Sequence, residues 1–383
     1  MVSDLSPTPH ERTQQARTPK RADKSAEEFP CASCGSALAY QPGQDALACD
    51  HCGFRNAIEQ DQGETLKEND LWTAMRLSAE QHEMQTLSGL SCQACAAEFS
   101  AQSEFNTQTC PFCGTAIVIE PHEIRQLKPD GVLPFSIDRG QAQAAAKKWR
   151  KSLFFAPRKF KEFGRDDAGL KGMYIPFWTF DAQTGSDYSG QRGDTRTYTT
   201  GSGKNRRTHR VTHWRSVSGH IRHFFDDILI WAGRGLPEPI IKRFQSWRLD
   251  DVVAYDNQYL VGIETQAYDL PLKAAHEQAK AQMRESIRDL VRQDIGGDEQ
   301  RIETLDITYS QETFKLVLLP IWIAALSYQG AAYTFIVNGR TGEVRGQRPL
   351  SWFKVGLAVI LTLAVALPLM VGLAFLIHIW DLA

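Results

Sequence analysis

The sequence predicts an α+β protein with two tandem four-cysteine ribbons, an antiparallel sheet packed with helices, and one C-terminal transmembrane helix. Three observations carry this prediction: eight cysteines in two copies of one spacing, alternating strand and helix patterns after residue 120, and a charge-free apolar run near the end. The 383 residues leave room for two or three units. A net charge of -2 excludes the global basicity that is typical of nucleic-acid-binding proteins.

The cysteines form two quartets with the pattern C-x2-C, fourteen residues, C-x2-C, and the second quartet lies 61 positions after the first. The predicted metal ligands are Cys31, Cys34, Cys49, Cys52, Cys92, Cys95, Cys110 and Cys113. A C-x2-C turn directs two thiolates at one ion, and a second turn completes a tetrahedron. The spacing therefore predicts ribbon 1 over residues 29–58 and ribbon 2 over 90–119.

Two structural zinc ions are the expected cofactors. Four cysteine ligands leave no open coordination position for a substrate or a metal-bound water, which argues against catalysis at these sites. A rubredoxin-like iron site or a redox dithiol has the same ligand set, so the spacing alone leaves these alternatives open. Disulfides need an oxidising compartment, and residues 1–30 contain no apolar segment of the kind that directs secretion.

The segments around the ribbons have simple predicted roles. Residues 1–28 are polar and contain no aromatic side chain, so they are expected to form a disordered tail. The linker, 59–89, is expected to be helical because apolar residues recur among charged ones over 66–87. Those apolar residues are Leu71, Trp72, Met75, Leu77, Met84 and Leu87.

Residues 120–350 are predicted to form one α+β domain. Asp138 is expected to cap a helix from Arg139 to about Leu153, and a second helix is expected over 272–293, closed by Gly296 and Gly297. Runs rich in β-branched and aromatic residues predict strands. These strands are expected at 131–137, in hairpins over 172–232, at 302–309, 314–327 and 331–338, and near 343–345.

A weak internal repeat lies within this domain. The segment Ile175-Pro-Phe-Trp178 is echoed by Leu319-Pro-Ile-Trp322, and a Tyr-x-Gly follows each copy. An alanine-rich helix precedes each copy, so two related helix-plus-hairpin units are a possible duplication. Proline lacks the amide that a strand ladder uses, which predicts edge or bulge positions for Pro176 and Pro320.

The C-terminal run from Val355 to Ile377 contains 23 apolar or small residues without a charge. At 1.5 Å per residue such a helix crosses a hydrocarbon core of about 30 Å. The sequence therefore predicts a transmembrane anchor over 353–380. Basic residues precede the run and few charges follow it, so the positive-inside rule places the bulk of the chain in the cytoplasm, at the inner membrane. The basic residues are Arg345, Arg348 and Lys354.

Two further clusters are candidates for function. The histidines and acids are His209, His213, His220, His223, Asp226 and Asp227. They could bind a metal or act as a base, although positions 220 and 223 face opposite sides of a strand, and exposed strand histidines are the simpler interpretation. The basic segment 192–215 could contact anionic lipid, could follow a phosphate backbone, or could be a solvated loop. The sequence contains no nucleotide-binding loop, G-x-S-x-G or H-E-x-x-H motif, so no enzyme is predicted.

The order of these parts resembles a family of bacterial membrane proteins with N-terminal double zinc ribbons and a C-terminal transmembrane segment. The resemblance is carried by the cysteine quartets, Tyr174–Asp181, Phe225–Leu229, Leu318–Trp322, Asn338–Val344 and Arg348–Trp352. Such proteins are often labelled primosomal helicase-like or transcription-factor-IIB-type zinc ribbon proteins. The resemblance implies a possible flotillin-like (SPFH) partner at the membrane. It implies no helicase here, because the nucleotide-binding loop is missing.

The expected function is that of a non-enzymatic, membrane-anchored zinc-ribbon adaptor. In this interpretation the ribbons project into the cytoplasm and recruit a protein partner. The alternative is a membrane-tethered nucleic-acid-binding or regulatory protein, which would need aromatic and basic side chains on one ribbon face. Ribbon 1 offers Tyr40, His51, Phe54 and Arg55, and ribbon 2 offers Phe99, Phe105 and Phe112.

Overall fold

The structure is a computed structural model, and it describes residues 29–58, 66–77, 83–100, 107–118, 120–162, 169–203, 206–244 and 247–382. The expected disordered tail, 1–28, lies outside these residues. The predicted mixed fold is confirmed: the chain forms several sheets, few helices, two four-cysteine groups and one apolar C-terminal helix.

The N-terminal third forms short strands around the cysteines. These elements are β1 (Ala39–Gln41), β2 (Ala46–Ala48), β3 (Arg55–Ala57), β4 (Asn69–Asp70), α1 (Leu71–Arg76), β5 (Met84–Ser91), β6 (Glu98–Ser100), β7 (Thr107–Thr109), β8 (Ala116–Val118) and β9 (His122–Leu127). Strands β1, β2 and β3 form one antiparallel sheet, β6, β5 and β9 form a second, and β7 pairs with β8.

The helical linker predicted for 59–89 is wrong for 83–89 and right for Leu71–Arg76, whereas 59–65 and 78–82 lie outside the described residues. Asp70 accepts a hydrogen bond from the Thr73 amide and caps α1, which ends at Arg76. Residues 84–91 are a strand paired in register with β9. The helical pattern included Met84 and Leu87, but Ser88 and Gly89 are poor helix formers, and tertiary pairing decides the outcome at such positions.

The C-terminal two-thirds form the main sheet and its helices. These elements are β10 (Gly131–Val132), α2 (Arg139–Ser152), α3 (Arg158–Glu162), β11 (Lys171–Thr200), β12 (Arg207–Trp231), α4 (Glu238–Ile241), β13 (Val253–Ala254), β14 (Glu264–Thr265), α5 (Leu272–Ile295), β15 (Glu299–Tyr328), β16 (Ala331–Asn338), β17 (Val344–Gly346) and α6 (Trp352–Leu382). Two short 3-10 helices lie between α4 and β14.

The main sheet is dominated by three very long antiparallel strands. Its order is β12-β11-β15-β10-β13, with β14 also on β11, β4 and β16 also on β15, and β17 on β16. The hairpins predicted for 172–232 are therefore one long hairpin. The separate strands predicted at 302–309 and 314–327 are also one strand, β15. It is interrupted between these segments by a β-bulge, where the pairing with β11 shifts register between Asp181 and Gln183 and Gln311 has a φ of 52°. This bulge looks like a turn in the sequence, since its residues are polar.

The two Pro-containing repeats pair with each other. Ile175 lies opposite Leu319 in the antiparallel ladder of β11 and β15. Strand β10, which precedes α2, runs parallel to β15, and β14, which precedes α5, runs parallel to β11. Each of the two helix-plus-hairpin units therefore pairs its first strand with the other unit. This exchange is the pattern that two units related by a two-fold axis would give. The duplication itself stays a prediction.

The repeat prolines lie in central strands rather than at edges. The Pro176 carbonyl accepts a hydrogen bond from the Ala232 amide, and the Pro320 carbonyl accepts one from Gly339. In both cases the neighbouring ladder ends at the next residue, at the pairs of Phe177 with Trp231 and of Ile321 with Asn338. The missing proline amide therefore breaks no ladder hydrogen bond.

The two main helices follow their sequence signals and lie on one face of the sheet. Asp138 and Gln141 form a reciprocal capping box at the start of α2, as Asp138 was expected to do. Helix α5 buries a stripe of residues spaced by four and ends at Gly296, which has a φ of 64°. The buried stripe comprises Ala275, Ala279, Met283, Ile287, Val291 and Ile295.

Helix α6 contains the predicted membrane-spanning run. Its segment Trp352–Gly372 has a mean hydropathy of 2.5, and none of it is buried within the protein. By length and composition this helix can cross a membrane. It is the one helix with that property in the described part of the chain.

Candidate metal centres

Each cysteine quartet converges on one point. The Sγ atoms of Cys31 and Cys52, and of Cys34 and Cys49, are 3.5 Å apart. In ribbon 2 the corresponding separations are 3.6 and 3.7 Å. Within each quartet all four sulfurs lie within 4.8 Å of one another. Tetrahedral zinc with bonds of about 2.3 Å separates its sulfurs by about 3.8 Å, so both quartets are compatible with one zinc ion each.

Tight backbone turns produce this convergence. The amide of the residue after the second cysteine donates to the carbonyl of the first, for example Gly35 to Cys31 at 2.9 Å. That residue takes a positive φ in all four turns. Glycine adopts this conformation without strain, and three turns use it, at Gly35, Gly53 and Gly114 with φ between 72° and 75°. The fourth turn has Ala96 at a φ of 55°.

The electrostatics favour thiolates at one position of each quartet. A hydrogen bond from the Ser36 side chain lowers the pKa of the Cys34 thiol to about 6. In ribbon 2 a hydrogen bond with Cys110 lowers the pKa of Cys95 to about 5. The thiolate is the form that binds a metal, so these turns are prepared for an ion. Iron would fit the same sulfur geometry.

Ribbon 1 packs against one face of the main sheet and does not project from it. Tyr40 is buried and contacts the rings of Phe135 and Tyr259. The Tyr40 amide donates to the Val261 carbonyl, and the Gly43 amide donates to Phe135. Tyr174 of β11 belongs to the same core cluster. Since side chains alternate between the two faces of a strand, ribbon 1 covers the face to which Tyr174 points.

Ribbon 2 packs against the opposite face. Phe99 and Phe112 are fully buried with Met173 and Ile175, the neighbours of Tyr174 in β11. The Thr334 hydroxyl donates to the Phe112 carbonyl at 2.7 Å. The two ribbons therefore hold the sheet between them, and each forms part of the main core.

This packing changes what the ribbon aromatics can do. Tyr40, Phe99 and Phe112 are at most 3% exposed, so their rings are closed to nucleic-acid bases. Phe105 lies outside the described residues. Phe54, at 38% exposed, is the aromatic ring that ribbon 1 leaves accessible.

The structure separates the predicted histidine cluster along β12. His220 Nδ1 lies 2.7 Å from Asp187, and the His209 ring stacks on Tyr198. His223 packs edge-on against Phe225. Among the described residues no histidine belongs to a potential metal group, but Asp226 and Asp227 of the predicted cluster converge with Asp181, with carboxylate oxygens within 4.8 Å of one another.

A polar cluster forms at the β11–β15 bulge, and of its members the sequence made Asp227 a candidate for function but not Glu68, Asp181 or Lys315. The Lys315 ammonium lies 2.8 Å from Glu68 and 3.0 Å from Asp227. Burial, with Glu68 nearby, raises the pKa of Asp181 to about 7. The hydrogen bond with Asp181 lowers the pKa of Glu68 to about 2. Glu68 and Lys315 are 247 positions apart, so no local pattern could predict their meeting.

A second buried polar pair joins α5 to the sheet. His276 Nε2 lies 2.7 Å from Glu312 Oε2, and both side chains are at most 5% exposed. The Trp72 indole donates to the other oxygen of Glu312 at 3.0 Å. One buried carboxylate thus connects α1, α5 and β15.

The chain is similar over most of its length to a curated bacterial protein. It is 26% identical over 328 residues to "Uncharacterized protein YdjG" of Bacillus subtilis (strain 168), a match that covers 85% of this chain and 91% of that protein. No protein-family model and no solved structure matches the chain.

Proposed function

We propose that this protein is a non-enzymatic adaptor, anchored in the bacterial inner membrane by α6, that binds a protein partner on its cytoplasmic side. The observation that carries the proposal is a three-stranded arm with unpaired outer edges at one end of the main sheet. The arm consists of β12 with the parts of β11 and β15 that pair beyond the bulge.

The arm extends well past the ribbons. Strands β11 and β15 pair as far as Gly193 and Glu299, and the β11–β12 hairpin continues to the pair of Thr200 and Arg207. Within the described residues, β12 pairs with β11 alone, and residues 299–312 of β15 likewise pair with β11 alone. Unpaired edges present free amides and carbonyls, which can accept an added strand from a partner.

One face of the arm is covered and rigid. Helix α5 packs its apolar stripe on side chains from all three strands, including Tyr188, Ile221 and Leu305. The Tyr188 hydroxyl also donates to Asp294, near the end of α5, at 2.5 Å. A braced sheet with open edges suits binding better than catalysis, because it presents a long surface without a catalytic cleft.

The metal centres support a structural role in this proposal. All four ligand positions of each site are cysteine sulfurs, so bound zinc would have no open coordination position. The ribbons pack on both faces of the sheet and would hold the domain together next to the anchor. Recruitment is therefore assigned to the arm and not to projecting ribbons.

The membrane assignment is supported by the charge-free apolar segment of α6 and by the basic residues before it. Arg345, Arg348 and Lys354 favour a cytoplasmic location for the preceding domain. The resemblance to double-ribbon membrane proteins makes a flotillin-like (SPFH) scaffold a candidate partner. The basic segment 192–215, which the sequence made a candidate for contact with anionic lipid, lies at the opposite end of the long strands from α6, so lipid contact is not assigned to it.

The test shortens the arm while leaving its packing against α5 intact. Thr195 pairs with Thr212, so replacing residues 196–211 by Asn-Gly closes the hairpin in register beyond the end of α5. The intact and shortened proteins are extracted from membranes with bound partners, which are identified by mass spectrometry. We expect the shortened protein to stay in the membrane fraction and to lose partners that the intact chain retains. Equal partner sets would contradict the proposal.

The nucleic-acid alternative is tested with the same pair of proteins. The deletion removes Arg196, Arg206, Arg207 and Arg210 from the hairpin end. Salt-dependent binding of single-stranded DNA or RNA by the intact chain, lost on shortening, would favour that alternative. The buried ribbon rings argue against it.

A further inference from the structure

The loop between α2 and α3, residues 153–157, is held at the base of α6. Its Leu153 and Ala156 are buried against Phe160 and Tyr328. Phe154 points outward and is 71% exposed, and Phe155 is 38% exposed. Two adjacent exposed phenylalanines at a loop end are costly in water, since each leaves a large apolar surface uncovered.

Polar contacts fasten this loop to the start of the apolar helix. The Ser351 amide donates to the Phe155 carbonyl at 2.8 Å. The Lys354 ammonium donates to the carbonyls of Phe154 and Ala156, at 3.1 and 2.7 Å. These bonds engage the carbonyls of three consecutive residues, 154–156, and so fix the direction in which the loop end faces.

The loop reaches along α6 into its apolar segment. Phe155 and α6 form an open apolar groove of about 400 Å³, lined by Phe155, Leu350, Val355, Ala358, Val359, Thr362 and Leu363. Thr362 is ten residues beyond Trp352, which corresponds to about 15 Å along a helix. The loop therefore lies beside residues that would be inside the membrane if α6 crosses it.

Cations surround the apolar loop end. Residues 147–161 contain seven lysines and arginines and no aspartate or glutamate. Lys147, Lys148 and Lys151 of α2 and Arg158 and Lys159 of α3 are exposed. Aromatic rings flanked by lysines and arginines match a membrane interface, where the rings enter the acyl boundary and the cations meet anionic headgroups.

We propose that the loop 153–157 is a second membrane contact, in which Phe154 and Phe155 insert into the interface of an anionic leaflet beside α6. Lipid acyl chains then fill the groove between the loop and the helix. This inference rests on the proposed function in one respect, that α6 crosses a membrane. Two points of attachment fix the orientation of the sheet, which a single helix with a flexible connection would not do.

The position of the loop 153–157 on β15 also indicates where the arm lies relative to the membrane. The loop contacts Tyr328, at the C-terminal end of β15, whereas the arm lies at the N-terminal end of that strand, near Glu299. A strand of 30 residues is about 95 Å long if straight. The arm is therefore carried away from the membrane, so lipid contact is assigned to 153–157 in place of 192–215.

The test uses the full chain in vesicles made of equal parts of phosphatidylglycerol and phosphatidylcholine. The vesicles carry a lipid with a diazirine on its acyl chain, and labelled peptides are identified by mass spectrometry after photolysis. We expect labelling of α6 and of the peptide with residues 153–157. Phe224, an aromatic side chain that is 51% exposed on the arm, is the control and should stay unlabelled.

Two variants sharpen the result. In Phe154→Ser with Phe155→Ser, labelling of the loop peptide should be lost while α6 remains labelled. In Lys147→Gln with Lys148→Gln, or in vesicles of phosphatidylcholine alone, labelling of the loop should fall. If α6 is labelled and the wild-type loop is not, this inference is overturned while the proposed anchor stands. If α6 is also unlabelled, the proposed membrane anchor itself fails.

Discussion

Ala96 occupies the position where the other three cysteine turns have glycine, and Ala96→Gly should strengthen the second metal centre. A non-glycine residue with left-handed backbone costs about 1–2 kcal/mol. Glycine at the same position costs about 0.5–1 kcal/mol through the greater freedom of the unfolded chain. Ala96 is exposed, so removing its methyl group loses little packing. The expected net gain is about 0.5–1 kcal/mol.

This gain should appear as metal affinity, because the turn relaxes when its ion is removed. A gain of about 0.5–1 kcal/mol corresponds to roughly 2–5-fold tighter binding. The assay titrates the zinc-loaded protein with a chelator, alkylates the released cysteines and quantifies them by mass spectrometry. Peptides with Cys92 and Cys110 should need roughly 2–5-fold more chelator in the variant. Peptides with Cys31 and Cys49 report ribbon 1 and should not change.

Gly35→Ala is the matched control in the opposite direction. Gly35 has a φ of 72°, and an added methyl group there meets no atom within 4 Å. The substitution therefore introduces backbone strain alone and should weaken ribbon 1 by about the same factor. An Ala96→Gly midpoint that is unchanged or lower, together with a weakened ribbon 1 in Gly35→Ala, would refute the argument for strain at Ala96.

Three further predictions concern the core. Cys110→Ser should lose half of the bound zinc, measured by mass-spectrometric metal analysis, and should make the sheet more sensitive to protease, since Cys110 is buried in the core cluster with Phe112. Glu312→Ala should destabilise the protein by about 3 kcal/mol in chemical denaturation, because it leaves His276 and the Trp72 indole buried without their partner, whereas exposed Glu303→Ala should change stability by less than about 0.5 kcal/mol. Because the pKa of Asp181 is raised to about 7, this carboxyl stays protonated in the folded protein between about pH 4 and pH 7, whereas it is ionised in the unfolded chain. Its contribution to the free energy of unfolding therefore falls as the pH rises through that range. Asp181→Asn should flatten that part of the pH profile, and an unchanged profile would show that another group causes it.

The features that the sequence predicted well are those coded by short spacing. The cysteine turns need two sulfurs three positions apart, and the capping of α2 needs Asp138 and Gln141 three positions apart. The apolar run of α6 is equally local. Such features form whatever the rest of the chain does, so a pattern along the sequence is sufficient to find them.

The features that the sequence did not predict depend on distant partners. Phe99 is buried because its strand bridges to Gln266, and Tyr40 is buried because Tyr259 lies beside it. Neither ring carries a local sign of its partner, and both resembled exposed ribbon aromatics. Glu312 shows the same effect. Its polar neighbours in the sequence are typical of a turn, yet it lies in a continuous strand and forms a buried pair with His276.

The position of the ribbons on the sheet determines what their metal can do for the protein. In a projecting ribbon, metal loss would unfold the ribbon and leave the remaining domain intact. Here Cys92 and Cys110 share a core with Ile175 on one face, and Cys31 and Cys49 share a core with Tyr174 on the other. Because residues 174 and 175 are neighbours in one strand, unfolding of either ribbon after loss of a bound ion would expose one side of the same central strand. The candidate metal centres therefore both support β11, the strand that begins the arm, so removal of bound metal should weaken the partner binding that is proposed for the arm.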